Sequence, residues 1–233
     1  MRSFKLTGIC DVVAYDAVDN EGRDRVTIEP RKRPRQDRSH AVVETILSAT
    51  QALLLQNGLP KLNTNAIAAE AGLSIGSLYQ YFPNKEAIVL ELARRWLAIF
   101  LPVTQHYLDK PAPRDWSEFR ADIFDFTAAI ARIYRDNQAM PPVLEAMQSN
   151  PELRAIVDEH DRKVIESHVQ WFMRVDPTLA KPVAERLGSL VFETGHVAFA
   201  ASLGQRGAAY AAITGDVGTM HEALLRAHLK IPA

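Results

Sequence analysis

Side chains that could contact nucleic acid are concentrated between Thr64 and Lys85, in a stretch with little charge. Tyrosine and serine hydroxyls and the Lys85 ammonium suit phosphate oxygens, whereas the Gln80 amide and the Ser77 hydroxyl can reach base edges. Gly76 costs a helix up to about 1 kcal/mol relative to alanine, which suggests that a second backbone, such as a chain of phosphates, comes close there. The predicted contact residues are Thr64, Ser74, Ile75, Gly76, Ser77, Tyr79, Gln80, Tyr81 and Lys85.

Two short helices joined by a tight turn must position these side chains. The pattern predicts a first helix capped by the Thr64 hydroxyl and ended by Gly72, which can adopt the left-handed conformation of a C-cap. Ser74 can cap a second helix over 75–82, and Pro83 ends it. Two such helices match a helix-turn-helix, whose second helix enters the DNA major groove. For an arbitrary turn of this kind, a solvated helical hairpin with two incidental tyrosines is the alternative.

The complete string of residues resembles the DNA-binding region of the TetR/AcrR family of bacterial regulators. The matching residues are Thr64, Ile67-Ala68, Ala71-Gly72-Leu73-Ser74, Gly76-Ser77-Leu78-Tyr79, Tyr81-Phe82 and Lys85-Glu86. The resemblance implies a homodimer that binds double-stranded operator DNA at a palindrome, normally as a repressor. It also implies that a small-molecule effector fills a cavity in the C-terminal part and releases the DNA.

Positive charge is concentrated around this motif, although the net charge of the 233 residues is −1. Residues 31–95 hold nine basic and five acidic side chains, whereas residues 96–233 hold fourteen and seventeen. A localised basic region is what phosphate binding requires. Five basic residues lie within 31–38, where Pro34 opposes helix; this segment is either a DNA-contacting arm or a solvated tail.

One helix on each side of the motif is predicted from apolar spacing. Over 38–57 the apolar positions follow the i, i+3, i+4, i+7 pattern of a helix that packs on the motif: Val43, Ile46, Leu47, Thr50, Leu53 and Leu54. Asn84 can cap a second helix over 85–107, in which Pro102 could introduce a kink or an early end. This long helix would connect the DNA site rigidly to the rest of the chain, so that a ligand at its far end could move its near end.

The remainder of the chain predicts further helices and no strand, because no segment alternates with period two. The expected helices are 116–137, 143–148, 151–175, 178–203 and 216–229, with Asn150, Asp176 and Asp216 at their caps and a loop over 204–215. Val217, Met220, Leu224 and Ala227 are expected to face inward on the last helix. The predicted fold is all-α: a three-helix DNA-binding domain with a helix-turn-helix, followed by a C-terminal helical bundle, about nine helices in total.

Aromatic and methionine side chains occur within the stripes of the C-terminal helices. Singly, each is expected in the core; together they could line an apolar cavity between helices, where bundles bind ligands. The candidate effector-pocket residues are Trp96, Phe100, Phe119, Phe126, Tyr134, Met147, His168, Trp171 and Phe172. The last two helices carry small residues that permit close approach, and the resemblance assigns these helices to dimerisation: Gly188, Ser189, Gly195, Ala198 and Ala201.

Enzymatic and metal-binding functions have weaker support in the sequence. Glu193 and His196 have the Glu-x-x-His spacing of di-iron bundles, but no second pair occurs, and no glycine-rich phosphate loop is present. We therefore predict no enzyme activity, no cofactor and no metal. The alternative is a helical metal- or small-molecule-binding protein, or an enzyme, with a vestigial helix-turn-helix.

Compartment and domain boundaries follow from composition. A single cysteine, Cys10, and the absence of a long apolar run predict a cytoplasmic protein without a membrane span or secretory signal. The predicted domains are a flexible extension with the basic arm at 1–37, the helix-turn-helix domain at 38–86, and the effector-binding and dimerisation domain at 87–233.

Overall fold

The computed structural model describes residues 37–139, 143, 147 and 151–232, and within these ranges the secondary structure is entirely helical. Eight α-helices occur in the described residues: α1 Asp37–Asn57, α2 Thr64–Glu70, α3 Ile75–Tyr81, α4 Lys85–Asp109, α5 Trp116–Asp136, α6 Pro151–Val175, α7 Lys181–Ala201 and α8 Ala208–Arg226. A short 3-10 helix, Leu59–Lys61, lies between α1 and α2. The all-α prediction is confirmed.

Several predictions lie outside the described residues. They are the extension and basic arm before residue 37, the Asn150 cap and most of the helix expected over 143–148. Of that last segment, Val143 and Met147 are described, and both are helical and fully buried.

The N-terminal helices form one apolar core beneath the helix-turn-helix. Its side chains are at most 4% exposed and come from α1, α2, α3, α4 and the residue after α3: Val43, Ile46, Leu47, Leu54, Ile67, Leu78, Phe82, Ile88 and Leu92. The first turns of α4 thus complete the core, which three short helices could not fill alone. Burying one such side chain contributes about 1.5–3 kcal/mol to stability.

Helix α4 continues from this core into the C-terminal bundle. Pro102 lies inside the helix and does not shorten it, since α4 runs to Asp109. Beyond the helix-turn-helix the inward face of α4 carries Trp96, Phe100 and Tyr107, all buried. The side chains that support α3 and the aromatic side chains of the bundle therefore lie on one helix.

The start of α7 differs from the prediction because Asp176 has another role. The Asp176 carboxylate accepts hydrogen bonds from the backbone and hydroxyl of Thr178, at 2.9 and 2.7 Å, and from the Lys230 backbone N–H at 2.8 Å. Helix α7 begins later, at Lys181, without a side-chain cap. Burial disfavours the charged carboxylate, but these bonds outweigh burial and lower the pKa of Asp176.

The expected loop over 204–215 is wrong in its second half. Helix α8 begins at Ala208, immediately after Gly207 at φ 58°, so Asp216 lies within the helix rather than at its cap. Alanine-rich sequence supplies helix propensity there, and Gly218 lets α8 approach α5, since an added Cβ would lie 2.9 Å from the Phe124 ring. Val217 on α8 faces inward as expected, but Met220 on α8 and Ala227, the residue after the helix, are exposed.

The small residues of α7 pack within the chain. An added Cβ at Gly188 would lie 3.2 Å from the Ile165 carbonyl of α6, and one at Gly195 would lie 3.4 Å from the His221 ring of α8. These two glycines therefore allow α7 to approach its own neighbours. None of the helices in the described ranges is both long and apolar enough to cross a membrane.

Candidate DNA-binding surface

The residue that caps the first helix of the helix-turn-helix lies one position earlier than predicted. The Asn63 side-chain oxygen accepts a hydrogen bond from the Ala66 backbone N–H at 2.9 Å, so Asn63 is the N-cap and Thr64 is the first helical residue. Asparagine caps at least as well as threonine. Because Asn63 and Thr64 are adjacent and both can cap a helix, the sequence alone does not decide which of them is the cap.

The turn after α2 is a Schellman motif. Gly72 has φ 65°, its N–H donates to the Ala69 carbonyl at 3.1 Å, and the Leu73 N–H donates to the Ala68 carbonyl at 2.9 Å. Two carbonyls at the helix end are thereby satisfied, and the chain reverses sharply. Glycine tolerates this conformation without the steric cost that a Cβ would add.

Ser74 caps α3 as predicted. Its hydroxyl accepts from the Ser77 backbone N–H at 3.0 Å and lies 2.8 Å from the Ser77 hydroxyl. Leu78 and Phe82, at 0% and 1% exposure, fix the opposite side of α3 in the core. The packing of these two side chains therefore determines which face of α3 points outward.

The outward face of α3 is hydrogen-bonding and uncharged. Ser74, Gly76 and Gln80 are exposed, and Ile75 and Tyr79 are 37% and 39% exposed. An added Cβ at Gly76 would meet only the Ser74 hydroxyl, at 3.9 Å. Packing within the chain thus gives no reason for glycine here, which is consistent with the predicted approach of an external backbone.

A hydrogen bond between Thr64 and Tyr79 connects α2 to α3. Their hydroxyl oxygens are 3.1 Å apart, which places the two predicted phosphate contacts side by side. One proton suffices for the bond between them, and a hydroxyl can accept as well as donate. The pair can therefore hold one phosphate oxygen with groups from both helices.

Tyr81 and Lys85 lie at the side of this surface and are half-buried. The Lys85 ammonium is 3.4 Å from the carbonyl of Leu62, close to the chain that enters α2. Tyr81 packs partly against the apolar core.

Asn84 caps α4 by accepting a hydrogen bond from the Ala87 N–H at 2.8 Å, as predicted. All nine predicted contact residues therefore lie in one continuous part of the fold.

A charged contact that the sequence analysis missed joins α4 to α1. The Arg95 guanidinium is 2.8 Å from the Glu91 carboxylate and 2.5 Å from that of Glu44. Burial disfavours the charged form of Arg95, but the two carboxylates outweigh this effect and raise its pKa. The i, i+4 spacing of Glu91 and Arg95 is a recognisable signal, whereas the partner on α1 depends on tertiary packing.

The predicted effector-pocket residues are all buried but fall into two groups. Trp96, Phe100, Tyr134 and Met147 belong to the core that continues from the DNA-binding domain. Phe119, Phe126, Trp171 and Phe172 form a second apolar group with Tyr107, and His168 lies 5.2 Å from Phe126 between ring centroids. The single pocket remains a prediction.

Glu193 and His196 have the spacing of di-iron ligands, but no further metal ligands join them in the part of the chain that the structure describes. Glu193 is exposed, and Nδ1 of His196 is hydrogen-bonded to the Tyr134 hydroxyl. No group of three or more His, Cys, Asp or Glu side chains among the described residues could hold a metal ion.

Comparison with known proteins identifies the same N-terminal region. The family model for bacterial regulatory proteins of the tetR family matches residues 46–92. An uncharacterised HTH-type transcriptional regulator of Haemophilus influenzae is 32% identical over 72 residues, which are 31% of this chain and 38% of that protein. A fatty acid metabolism regulator protein of Bacillus subtilis is 28% identical over 114 residues, 49% of this chain and 57% of that protein.

The similarity in fold extends further than the similarity in sequence. The matched segments span less than two thirds of either curated relative. A fatty acid degradation regulator of Bacillus halodurans has the same fold with a TM-score of 0.61 at 18% identity, over 79% of this chain and 94% of that one. The helix-turn-helix geometry and the matching family model identify residues 46–92 as a DNA-binding region of the tetR family of bacterial regulatory proteins, and the rest of the described chain shares the all-helical fold of a solved regulator.

Proposed function

We propose that this chain binds a palindromic DNA operator as a homodimer, acts as a repressor, and leaves the DNA when a small-molecule effector enters its C-terminal bundle. The observation that carries the proposal is the outward face of α3, which is uncharged, rich in hydrogen-bonding groups and fixed from behind by Leu78 and Phe82. A rigid helix with this surface suits the major groove.

Each contact residue has a separate role in this proposal. Gln80 and Ser77 read base edges, because an amide or hydroxyl can pair with groups displayed in the major groove. Thr64, Tyr79, Tyr81 and Lys85 hold phosphates and set the register of α3. Ser74, Ile75 and Gly76 lie at the start of the helix, where the absence of a side chain at residue 76 permits close approach.

Exposed apolar side chains on α7 and α8 support dimerisation. Leu190 and Val197 are 41% and 61% exposed and are seven residues apart on α7, so they lie on one face. Met220 on α8 is 43% exposed. A two-fold interface through these helices would bury them and present two copies of α3 to two half-sites of a palindrome.

Helix α4 supplies the proposed coupling between effector and DNA. It carries Ile88 beneath α3 and Trp96 and Phe100 in the bundle, and Arg95 ties it to α1. A ligand that displaces the aromatic end would shift the DNA-binding end, and linkage requires that DNA weaken ligand binding by the same factor. The named function of the Bacillus subtilis relative, fatty acid metabolism, is compatible with an apolar effector.

The test is binding of the purified chain to a duplex from upstream of its own gene, with a scrambled duplex as the control, over a salt titration. We expect tight binding to the upstream duplex that weakens steeply as salt rises, because phosphate contacts release counterions. Weak and equal binding to both duplexes, together with a monomer in solution, would contradict the proposal.

A further inference from the structure

Several buried polar atoms among the described residues of the C-terminal bundle have no hydrogen-bond partner, and two of them lie beside the same aromatic side chain. These two are Nε1 of Trp96 and Nε2 of His160, whose residues are 3% and 2% exposed. Buried polar atoms in native proteins are nearly always paired with protein, water or a ligand. Two unpaired atoms in the same part of the core therefore point to a polar group that the protein itself does not supply.

Both rings contact the same aromatic side chain. The Trp96 ring lies 4.7 Å from the Phe100 ring and the His160 ring 5.9 Å from it, between centroids. Tyr134 closes the group at 5.6 Å from Trp96, but its hydroxyl is already bonded to His196. The unpaired atoms thus lie within an aromatic group built from α4, α5 and α6.

The chemistry of the two atoms is complementary. An indole Nε1–H can only donate a hydrogen bond. In His160 the other nitrogen, Nδ1, is 3.1 Å from the Asp161 carboxylate, and because a carboxylate only accepts, Nδ1 carries the proton. In the neutral ring Nε2 is then left with a lone pair and accepts. A single hydroxyl could accept from Trp96 and donate to His160.

We propose that the effector of this chain is an uncharged, apolar molecule with one hydroxyl group, such as a phenol or an alcohol, whose hydroxyl lies between Trp96 Nε1 and His160 Nε2. The inference rests on the proposed function in taking the bundle as the effector site. Trp96, Phe100 and Tyr134 carry no charge at neutral pH and provide an apolar surround. Such a site favours a neutral ligand over a carboxylate, which would lack a cationic partner there.

Three probes of similar shape separate the two hydrogen bonds: 4-butylphenol, 4-butylanisole and butylbenzene. The phenol donates and accepts, the methyl ether only accepts, and the hydrocarbon does neither. Calorimetric titration of the full chain should give the tightest binding for 4-butylphenol, with roughly a several-fold loss for each hydrogen bond removed. Equal affinity for the phenol and the hydrocarbon, or no binding of any probe, would overturn the proposal.

Two variants assign the bonds to residues. His160→Phe should reduce the affinity for 4-butylphenol to that for 4-butylanisole and leave the affinity for 4-butylanisole unchanged. Trp96→Phe should weaken both oxygen-containing probes and spare butylbenzene. Trp116→Phe is the matched control, because Trp116 is also buried but its Nε1 is 3.5 Å from the Glu222 carboxylate. If the preference for the phenol survives both test variants, the assignment is wrong.

The outcome separates this inference from the proposed function. If the chain binds its operator but none of the three probes, the hydroxyl-bearing effector is ruled out and the proposed regulatory function stands. If the chain binds 4-butylphenol selectively but has no affinity for the operator, the proposed regulatory function is ruled out and the hydroxyl-binding site stands. If a variant does not fold by circular dichroism, the probe series on the unaltered chain still decides whether a hydroxyl is recognised.

Discussion

The core beneath α3 and the core of the C-terminal bundle differ in how they treat buried polar atoms. In the DNA-binding part, the buried polar residue Thr50 is paired, since its hydroxyl donates to the Ile46 carbonyl at 2.8 Å. In the bundle, Thr127, His160, His168 and His221 are equally buried and each has a side-chain nitrogen or oxygen without a hydrogen bond. The buried hydroxyl beneath α3 is satisfied within the chain, whereas the bundle retains polar groups that a ligand could satisfy.

This difference matches the division of labour proposed for the two regions. A recognition helix must hold one orientation, and a fully packed apolar core imposes it. A ligand site needs polar groups that remain without a hydrogen-bond partner after the chain has folded. Unsatisfied polar groups lower the stability of a folded bundle, and they give a ligand both affinity and specificity when it pairs with them.

The largest expected effect comes from opening the core beneath α3. Phe82→Ala should lower the free energy of unfolding by about 3–5 kcal/mol, because Phe82 is 1% exposed and its loss leaves a cavity beneath α3. Denaturant unfolding measures this change, and DNA binding should be lost with it. Leu55→Ala is the control, since Leu55 on α1 is 58% exposed. A small effect of Phe82→Ala would mean that α3 is not held by this core.

Acidification should destabilise the bundle rather than the DNA-binding core. Burial lowers the pKa of His168 and of His221 to about 4 from 6.5, and the nearby imidazole of His221 adds to the effect on His168. The unfolded chain then binds more protons between pH 6.5 and about 4, so stability is retained above pH 6.5 and falls across that window. Each group could cost up to about 3 kcal/mol at its lower end.

Unfolding midpoints measured from pH 7.5 to 4 check this prediction. His221→Gln should flatten the pH dependence, because it removes one of the two buried imidazoles that must be charged. His228→Gln is a control for an exposed histidine on the same part of the chain. An unfolding midpoint that does not change between pH 6.5 and 4.5 would contradict the account.

The DNA-facing residues should separate into two kinds by their response to salt. Lys85→Ala should weaken binding to every duplex and reduce the salt slope by about one, because one phosphate contact is lost. Gln80→Ala should cost about 1–3 kcal/mol at one base pair and leave the slope nearly unchanged. Fluorescence anisotropy at several salt concentrations measures both. An unchanged slope in Lys85→Ala would remove that residue from the phosphate contacts.

The smallest expected effects give the sharpest contrast between the two cores. Thr50→Val removes a paired hydroxyl and should cost about 1 kcal/mol, whereas Thr127→Val removes an unpaired one and should be neutral or stabilising by a similar amount. Both substitutions keep the β-branched shape, so helix propensity changes little. Thermal unfolding of the two variants measures the sign, and equal losses would mean that the hydroxyl of Thr127 is satisfied in solution.

The sequence predicted the helix-turn-helix well because its signals are local. Gly72 and Ser74 act within a few residues of their own positions, and both roles are confirmed. Misassignments arose where local signals competed or where tertiary contacts decided. Asn63 took the cap expected at Thr64, Asp176 bonded to the distant Lys230 backbone, and the packing of Gly218 on Phe124 accompanied a helix where a loop was expected. Neither the Arg95–Glu44 contact nor the Trp96–His160 arrangement has a local signature, since each joins separate helices.

The central claim is that two copies of α3 read a palindrome, and selection of duplexes from a random-sequence pool by the full chain tests it most directly. We expect the enriched duplexes to share an inverted repeat whose half-sites are one DNA turn, or a multiple, apart. Gln80→Ala should change the preferred base at symmetric positions of both half-sites. Enrichment of no sequence, or of an asymmetric sequence that Gln80→Ala leaves unchanged, would contradict the account.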